Sequence, residues 1–269
     1  MIDEQLKLEK ELTKIFEIFQ ASEGEIRPHF ILTGGSGTGK TFTISKLADM
    51  FELDFLEVNA AQLTKEGVSG NSLSKALSPL ANRQGGLTVC FVDEFDKLFI
   101  SGNNNSDLAH ESTTAIQNEF LKVLEADNTS VFGDYGKYVS VPVDNVLFIF
   151  AGAFNGQEEI TIDTLRDFGV KTEFLGRVGL VYNTTKLSLE SMLKILSESK
   201  VLHTYLDLYS NVSKKEVIKT IGDFITKNYE KNTLGARMIN TLINQYFIKG
   251  GKLEDEVVEK STFQKKLSL

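Results

Sequence analysis

Short apolar runs alternate with stretches of helical spacing through the first two thirds of the chain. The apolar runs are HFIL at 29–32, LDFLEV at 53–58, LTVCFV at 87–92 and VLFIFAGAF at 146–154. Between the first two runs, Ile44, Leu47 and Phe51 recur every three or four residues, as on one face of a helix. Alternating strands and helices favour right-handed crossovers and a parallel sheet covered on both faces. This part is therefore predicted to be α/β.

Further elements are predicted around these strands. Residues 2–20 carry apolar side chains at helical spacing between charges, which indicates an amphipathic leading helix. Helices are also expected near 71–82 and around Ile116 and Phe120. The segment 130–141 has turn residues between two short β-prone runs, which is typical of a hairpin.

From about Lys186 the apolar residues follow helical spacing only. The predicted helices cover about 189–196, 217–225 and 235–247. A chain of 269 residues can hold a nucleotide-binding domain of average size and a smaller second domain. We therefore expect a large α/β domain over 1–184, with its P-loop sheet sandwiched by helices, followed by a small helical lid domain over 185–269.

Composition narrows the class of protein. Apolar residues make up 41% and charged residues 25%, as in ordinary globular proteins. The net charge of −8 disfavours a nucleic-acid partner. The N-terminus is polar and the sequence has no long apolar run, so we expect neither a signal peptide nor a membrane span. This indicates a cytoplasmic protein. The single cysteine, Cys90, lies in an apolar run and is expected to be a buried structural thiol.

A phosphate-binding motif follows the first predicted strand. The pattern G-x-x-x-x-G-K-[ST] is matched by Gly34, Gly35, Ser36, Gly37, Thr38, Gly39, Lys40 and Thr41. The glycines let backbone N–H groups turn towards phosphates, and the following helix adds positive potential. Lys40 is expected to reach the terminal phosphates of ATP, and the Thr41 hydroxyl to bind Mg²⁺.

An acidic pair follows the strand at 87–92. Taken alone, Asp93 and Glu94 would be read as a solvated loop, but they come about fifty residues after the phosphate-binding motif. The carboxyl ends of neighbouring parallel strands face the same crevice, so both carboxylates are expected to reach the phosphates. Asp93 is the candidate for the Mg²⁺ shell, and Glu94 for orienting and polarising the attacking water.

The segments VDEFDKL, LFIFAGAF and EFLGR, in this order, resemble the AAA+ unfoldases of the ClpX and HslU type over residues 28–247. The resemblance implies a homo-oligomeric ring, expected to be a hexamer, that hydrolyses ATP to remodel a protein substrate. It implies that Arg177 reaches the ATP of a neighbouring subunit, with a surface salt bridge as the alternative role of this side chain. In LGARMINTLI it implies that Arg237 senses the γ-phosphate for the lid. Asn155, after the LFIFAGAF strand, is the candidate for the other polar sensor.

The chain also departs from that family. Alignment places Gly67, Val68, Ser69 and Gly70 on the family's aromatic pore loop, GYVG, so a valine replaces the gripping tyrosine. These four residues remain the candidate substrate contacts, although a loop without a substrate role is the alternative. Only about twenty residues separate GAF from EFLGR, which leaves no room for the peptidase-docking loop of ClpX. We also expect no zinc-binding domain like that of ClpX, and hence a bare motor module without a ClpP-type peptidase.

Two other functions stay open at this point. Related AAA+ modules load helicases and clamps, so a nucleic-acid motor or loader is one alternative, disfavoured by the acidic charge. The other is a scaffold whose assembly is controlled by ATP and which unfolds nothing. The loss of the pore aromatic favours the scaffold over a strong unfoldase.

Overall fold

The computed structural model describes residues 6–65, 67, 70–83, 85–99, 107–133, 136–209 and 211–253, with the side chains of 107–113 excepted. The chain divides into two compact units. The larger comprises residues 7–34 and 40–184, and the described residues of the smaller are Leu6, 35–39, 185–209 and 211–253. The central residues of the glycine-rich loop therefore group with the C-terminal part of the chain, which the sequence did not suggest.

The larger unit is built on a parallel sheet, as predicted. The strands of the described chain are β1 Phe30–Thr33, β2 Asp54–Asn59, β3 Thr88–Asp93, β4 Asn128–Phe132, β5 Tyr138–Pro142, β6 Val146–Gly152 and β7 Leu180–Asn183. Five of them form the sheet in the order β2-β3-β6-β1-β7, and every pairing in it is parallel. The other two, β4 and β5, pair antiparallel as the predicted hairpin.

Helices surround this sheet and make up the smaller unit. Those of the first part are α1 Leu6–Ala21, α2 Lys40–Met50, α3 Leu73–Ala76, α4 Asp107–Glu125, α5 Ile162–Asp167 and α6 Thr172–Arg177. Those of the C-terminal part are α7 Leu189–Glu198, α8 Lys200–Leu208, α9 Lys214–Asn228 and α10 Arg237–Ile248. None of the helices in the described part of the chain is long and apolar enough to cross a membrane.

Strand β6 shows why the sheet is covered on both faces. All seven of its residues are buried. Phe148 and Phe150 join one apolar cluster, which includes Phe120 of α4, whereas Leu147 and Ile149 join the other. The second cluster contains the apolar faces of α1 and α2. The alternation follows from the period of two in a strand, and the apolar run VLFIFA thus supplies both cores.

Cys90 lies in β3 and is fully buried, as expected for a structural thiol. Burial raises its pKa from 9.0 to about 12. A thiolate is therefore not formed near neutral pH, and the residue acts as a small apolar side chain in the core.

Several elements differ from the sequence prediction. Among them, the short helices α5 and α6 were not predicted. The helix expected near 71–82 is interrupted: α3 has four residues, and a short 3-10 helix, Ser78–Asn82, follows it. Pro79 lacks the N–H that would continue α3. Strand β7 and helix α8 were not predicted, because β7 is short and only partly buried and α8 stands one residue after α7.

The smaller unit has its own apolar core. Leu196, Leu202, Ile221 and Leu242 come from its four helices and are fully buried. Serine side chains cap the first two of these helices by accepting backbone N–H groups: Ser188 from Ser191, and Ser199 from Leu202.

His29, just before β1, should make the protein sensitive to acid. The ring is buried, and its Nδ1 accepts the Phe148 N–H at 3.1 Å. Burial, aided by the nearby charge of Arg27, lowers its pKa from 6.5 to about 3. The unfolded chain therefore binds this proton below about pH 6.5 and the folded chain does not, so stability falls as the pH drops towards 3. Between about pH 7.5 and pH 5 we expect a loss of about 2 kcal/mol from His29.

Urea unfolding of the wild type and of a His29→Asn variant would measure this loss. Asparagine keeps an acceptor for the Phe148 N–H but does not titrate. The variant should lose about 2 kcal/mol less than the wild type over the same pH interval. An equal loss in both proteins would show that His29 is not the acid-sensitive group.

Candidate nucleotide site

The glycine-rich loop begins where β1 ends. Three of its glycines have positive φ angles: +135° at Gly34, +72° at Gly37 and +90° at Gly39. Such backbone conformations favour glycine. Gly34 also donates its N–H to the carbonyl of Gly152 at 3.2 Å, and a side chain on Gly34 would collide with Thr184. The local backbone thus favours glycine at these three positions of the motif.

The geometry of the loop fits a polyphosphate. A side chain placed on Gly39 would meet no atom within 4 Å, so open space adjoins the loop there. Helix α2, eleven residues long, begins at Lys40, so its N-terminus follows the loop directly. The Lys40 ammonium donates to the Gly34 carbonyl at 2.6 Å and thereby lies across the loop. A helix N-terminus and an ammonium beside a glycine-rich loop are suited to phosphate oxygens.

The acidic pair closes β3 with an unusual backbone turn. Asp93 is half-buried and is the last residue of β3; its Oδ1 accepts the Glu94 N–H at 2.8 Å. Glu94 is exposed and left-handed, with φ 55° and ψ 30°, and its side chain does not cap the 3-10 helix Phe95–Leu98 that follows. A left-handed non-glycine residue costs roughly 1 kcal/mol or more, and such strain is often found at active sites.

The sheet brings Lys40 and the acidic pair to one edge, although the strands that precede them are not neighbours. Lys40, Asp93 and Glu94 all follow the carboxyl ends of parallel strands. The expectation that β1 and β3 are neighbours is wrong, because β6 lies between them. Neighbouring strands are spaced about 4.8 Å apart, so the ends of β1 and β3 are about 10 Å apart. Asn155 follows β6, in an exposed turn with φ 58°, and so lies at the same edge.

A polar network beneath this edge was missed by the sequence analysis. The Asn183 Oδ1 accepts the Thr33 hydroxyl at 2.6 Å and the Ile160 N–H at 2.8 Å, and its Nδ2 donates to the Ile160 carbonyl at 3.0 Å. The side chain thus joins the ends of β1 and β7 to the segment that follows β6. The only signal in the sequence was a polar residue at the end of each strand, Thr33 and Asn183, which is common at strand ends.

The structure places Arg177 at the C-terminal end of α6. Its Nη2 lies 2.8 Å from the Glu125 Oε1, at the end of α4. The two side chains are 56% and 48% exposed, respectively. Arg177 is therefore accessible from outside the subunit, and Glu125 is a partner that sequence reasoning did not identify.

Arg237 is the first residue of α10 and contacts the glycine-rich loop. Its Nη1 donates to the Ser36 hydroxyl oxygen at 3.0 Å. The Ala236 N–H beside it donates to the Gly37 carbonyl, also at 3.0 Å. Both loop residues belong to the smaller unit together with Arg237. The structure thus brings one sequence-predicted sensor to the predicted phosphate-binding loop.

The candidate substrate loop is only partly described. Val68 and Ser69 lie outside the described residues. Gly67 and Gly70 have φ angles of +85° and +146°, which favour glycine at both positions. In the β4–β5 hairpin, Tyr138 is 54% exposed.

The parallel sheet, the glycine-rich loop after β1 and the acidic pair after β3 define a P-loop nucleotide hydrolase. Residues 30–173 match the AAA family, described as the ATPase family associated with various cellular activities. The chain therefore belongs to the AAA family. It is an ATP-dependent AAA+ motor that binds nucleotide and hydrolyses ATP.

The chain is similar to ClpX proteins described as ATP-binding subunits of the ATP-dependent Clp protease. It is 24% identical to that of Porphyromonas gingivalis, over 90% of this chain and 72% of the relative. It is 26% identical to that of Bacteroides fragilis and 25% identical to that of Bacteroides thetaiotaomicron, in both cases over 81% of this chain and 63% of the relative. The chain thus spans between 63% and 72% of the length of these relatives.

Proposed function

We propose that the chain is one subunit of a homo-hexameric ring that uses ATP hydrolysis to remodel or unfold a protein substrate. The observation that carries this proposal is the sheet edge, where Lys40 and the pair Asp93 and Glu94 follow the ends of parallel strands. The similarity to ClpX over 81% to 90% of the chain supports the ring and the protein substrate. Residues 1–184 would act as the nucleotide-binding domain and 185–269 as the lid.

The loop from Gly34 to Thr41 would hold the phosphates of ATP. Backbone N–H groups of Gly35, Ser36, Gly37, Thr38 and Gly39 would donate to phosphate oxygens. Lys40 would leave the Gly34 carbonyl, to which it now donates, and bind the terminal phosphates. Thr41 and Asp93 would hold Mg²⁺, which neutralises negative charge on the β- and γ-phosphate oxygens.

Glu94 would orient the attacking water and accept its proton. Its carboxylate is exposed just beyond Asp93, in a backbone conformation that turns the chain sharply after β3. Asp93 accepts the Glu94 N–H and so helps to hold this turn. Asn155, which follows the central strand β6, would provide a polar contact to the γ-phosphate.

Two arginines would also act at the nucleotide site. Arg177 is half-exposed at the end of α6, which suits a side chain that enters the site of a neighbouring subunit. Stabilisation of the negative charge on the transferred phosphoryl group would then depend on assembly. Arg237, which already donates to Ser36, would sense whether the γ-phosphate is present.

The substrate would contact the 67–70 loop and the β4–β5 hairpin. Val68 offers less apolar area than an aromatic residue, so the grip of this loop is expected to be weak. Tyr138 packs edge-on against Phe132 and keeps 54% of its surface exposed. We include no ClpP-type peptidase among the partners, because the connection between Phe154 and Phe174 has no room for a docking loop.

An unfolding assay tests this proposal. The substrate would be a destabilised green fluorescent protein with an unstructured C-terminal extension. We expect ATP-dependent loss of fluorescence and a specific ATPase activity that rises with protein concentration, and neither in a Glu94→Gln variant. Brisk hydrolysis without unfolding would favour the scaffold function. Tight, ATP-dependent binding of single-stranded DNA with a steep salt dependence would favour a nucleic-acid motor.

A further inference from the structure

The partner of Arg177 lies on α4, a helix that packs against α6. Phe120 of α4 packs against Phe150 with ring centroids 5.2 Å apart, and Phe174 of α6 packs against the same ring at 4.9 Å. All three rings are fully buried. The helices that end in Glu125 and Arg177 therefore share one aromatic core, and the backbone positions of both residues are fixed by it.

A buried amide fixes the other end of α6. Gln117 of α4 is 1% exposed. Its Oε1 accepts the Lys171 N–H at 2.9 Å, and its Nε2 donates to the Gly169 carbonyl at 3.2 Å. Lys171 is the residue that precedes α6. With the backbone held in this way, the largest remaining freedom at Arg177 is that of its long side chain, which the Glu125 carboxylate restricts.

Glu125 also stands at the base of the hairpin. Only Ala126 and Asp127 separate it from β4, and the Asp127 carbonyl accepts the Val143 N–H at 2.8 Å, just after β5. Glu125 is therefore connected to the hairpin through the backbone and to Arg177 through the ion pair.

We infer that Glu125 is a positioning residue for Arg177. Its carboxylate orients the guanidinium so that the other face of the group points towards the ATP of the neighbouring subunit. This inference rests on the proposed role of Arg177 in the neighbour's site. Because the pair is half-exposed and screened by water, it contributes little to folding stability. Its loss should therefore change catalysis and leave the fold intact.

A Glu125→Gln variant tests the inference. Glutamine keeps the shape and a hydrogen-bond acceptor but loses the charge. We expect kcat for ATP to fall about two- to fivefold, as the typical strength of an exposed ion pair implies, with KM for ATP and the oligomeric state unchanged. The matched control is Glu17→Gln, which removes the exposed pair of Glu17 with Lys14 on α1 and should leave kcat at the wild-type value.

A double variant separates positioning from a structural effect. If Glu125 acts through Arg177, then adding Glu125→Gln to Arg177→Ala should not lower the residual kcat further. A further drop, or wild-type kcat in Glu125→Gln alone while Arg177→Ala is inactive, would overturn the inference and leave the role of Arg177 intact. Wild-type turnover in Arg177→Ala would instead overturn that role in the proposed function, and the inference with it.

Discussion

Substituting Arg177 by alanine should abolish most ATP hydrolysis and leave ATP binding largely intact. An arginine that enters a shared phosphoryl-transfer site stabilises charge in the transition state, and it contributes about 10³ to 10⁵ in rate where it has been isolated. In the proposed function, the ground-state contacts to ATP come from a different part of the chain, the loop around Lys40. Steady-state kcat and the equilibrium Kd for ATP of the purified variant would measure the two effects.

Mixing variants shows whether Arg177 acts on a neighbour. Arg177→Ala keeps its own loop, and Lys40→Ala keeps its own Arg177, so a mixed ring contains some complete sites. We expect the mixture to be more active than either variant alone. The control is Arg166→Ala, which removes another half-exposed arginine with a carboxylate partner, Asp163, and should stay active. Loss of ATP binding by Arg177→Ala, or no recovery on mixing, would contradict a role in the neighbour's site.

Replacing Glu94 by glutamine should slow hydrolysis about 10² to 10⁴-fold, the usual contribution of a general base. Glutamine has the same shape but cannot accept the proton of the attacking water. Binding of ATP and assembly should persist, because the loop and Asp93 are unchanged. Single-turnover hydrolysis with excess enzyme would measure the chemical step directly.

The control for this variant is Glu57→Gln, at an exposed position on β2. It carries the same change of charge in the same sheet and should hydrolyse ATP at the wild-type rate. Unaltered turnover in Glu94→Gln would count against the assigned base, and loss of ATP binding would show that the side chain acts on binding instead.

The parallel sheet could be predicted because its central strands are apolar runs. Strand β6, whose residues face both cores, reads as VLFIFAG without a polar interruption. The order of the strands could not be predicted. Phe30 pairs with Ile149, and such distant pairings depend on how the cores pack and leave no local signal. This is why the position of β6 between β1 and β3 could not be predicted, although β6 itself was predicted as a strand.

In the candidate site too, residues with a local sequence signal could be predicted, and contacts between distant residues could not. The loop at Gly34 was identified because its glycines meet a local need for positive φ angles. Arg237 was located by its motif, but its hydrogen bond with Ser36 joins residues 201 positions apart. Glu125 carries no local signal, since an exposed glutamate at a helix end is ordinary. The role of Val68 stays a prediction.

The central claim is that the loop around Lys40 binds ATP with magnesium. Isothermal titration of ATP into the Glu94→Gln protein, in the presence of Mg²⁺ and with Lys40→Ala as the comparison, tests it most directly. We expect saturable binding by the first protein and a large loss of affinity in the second. Absence of binding by the first protein, or equal affinity in both, would contradict it.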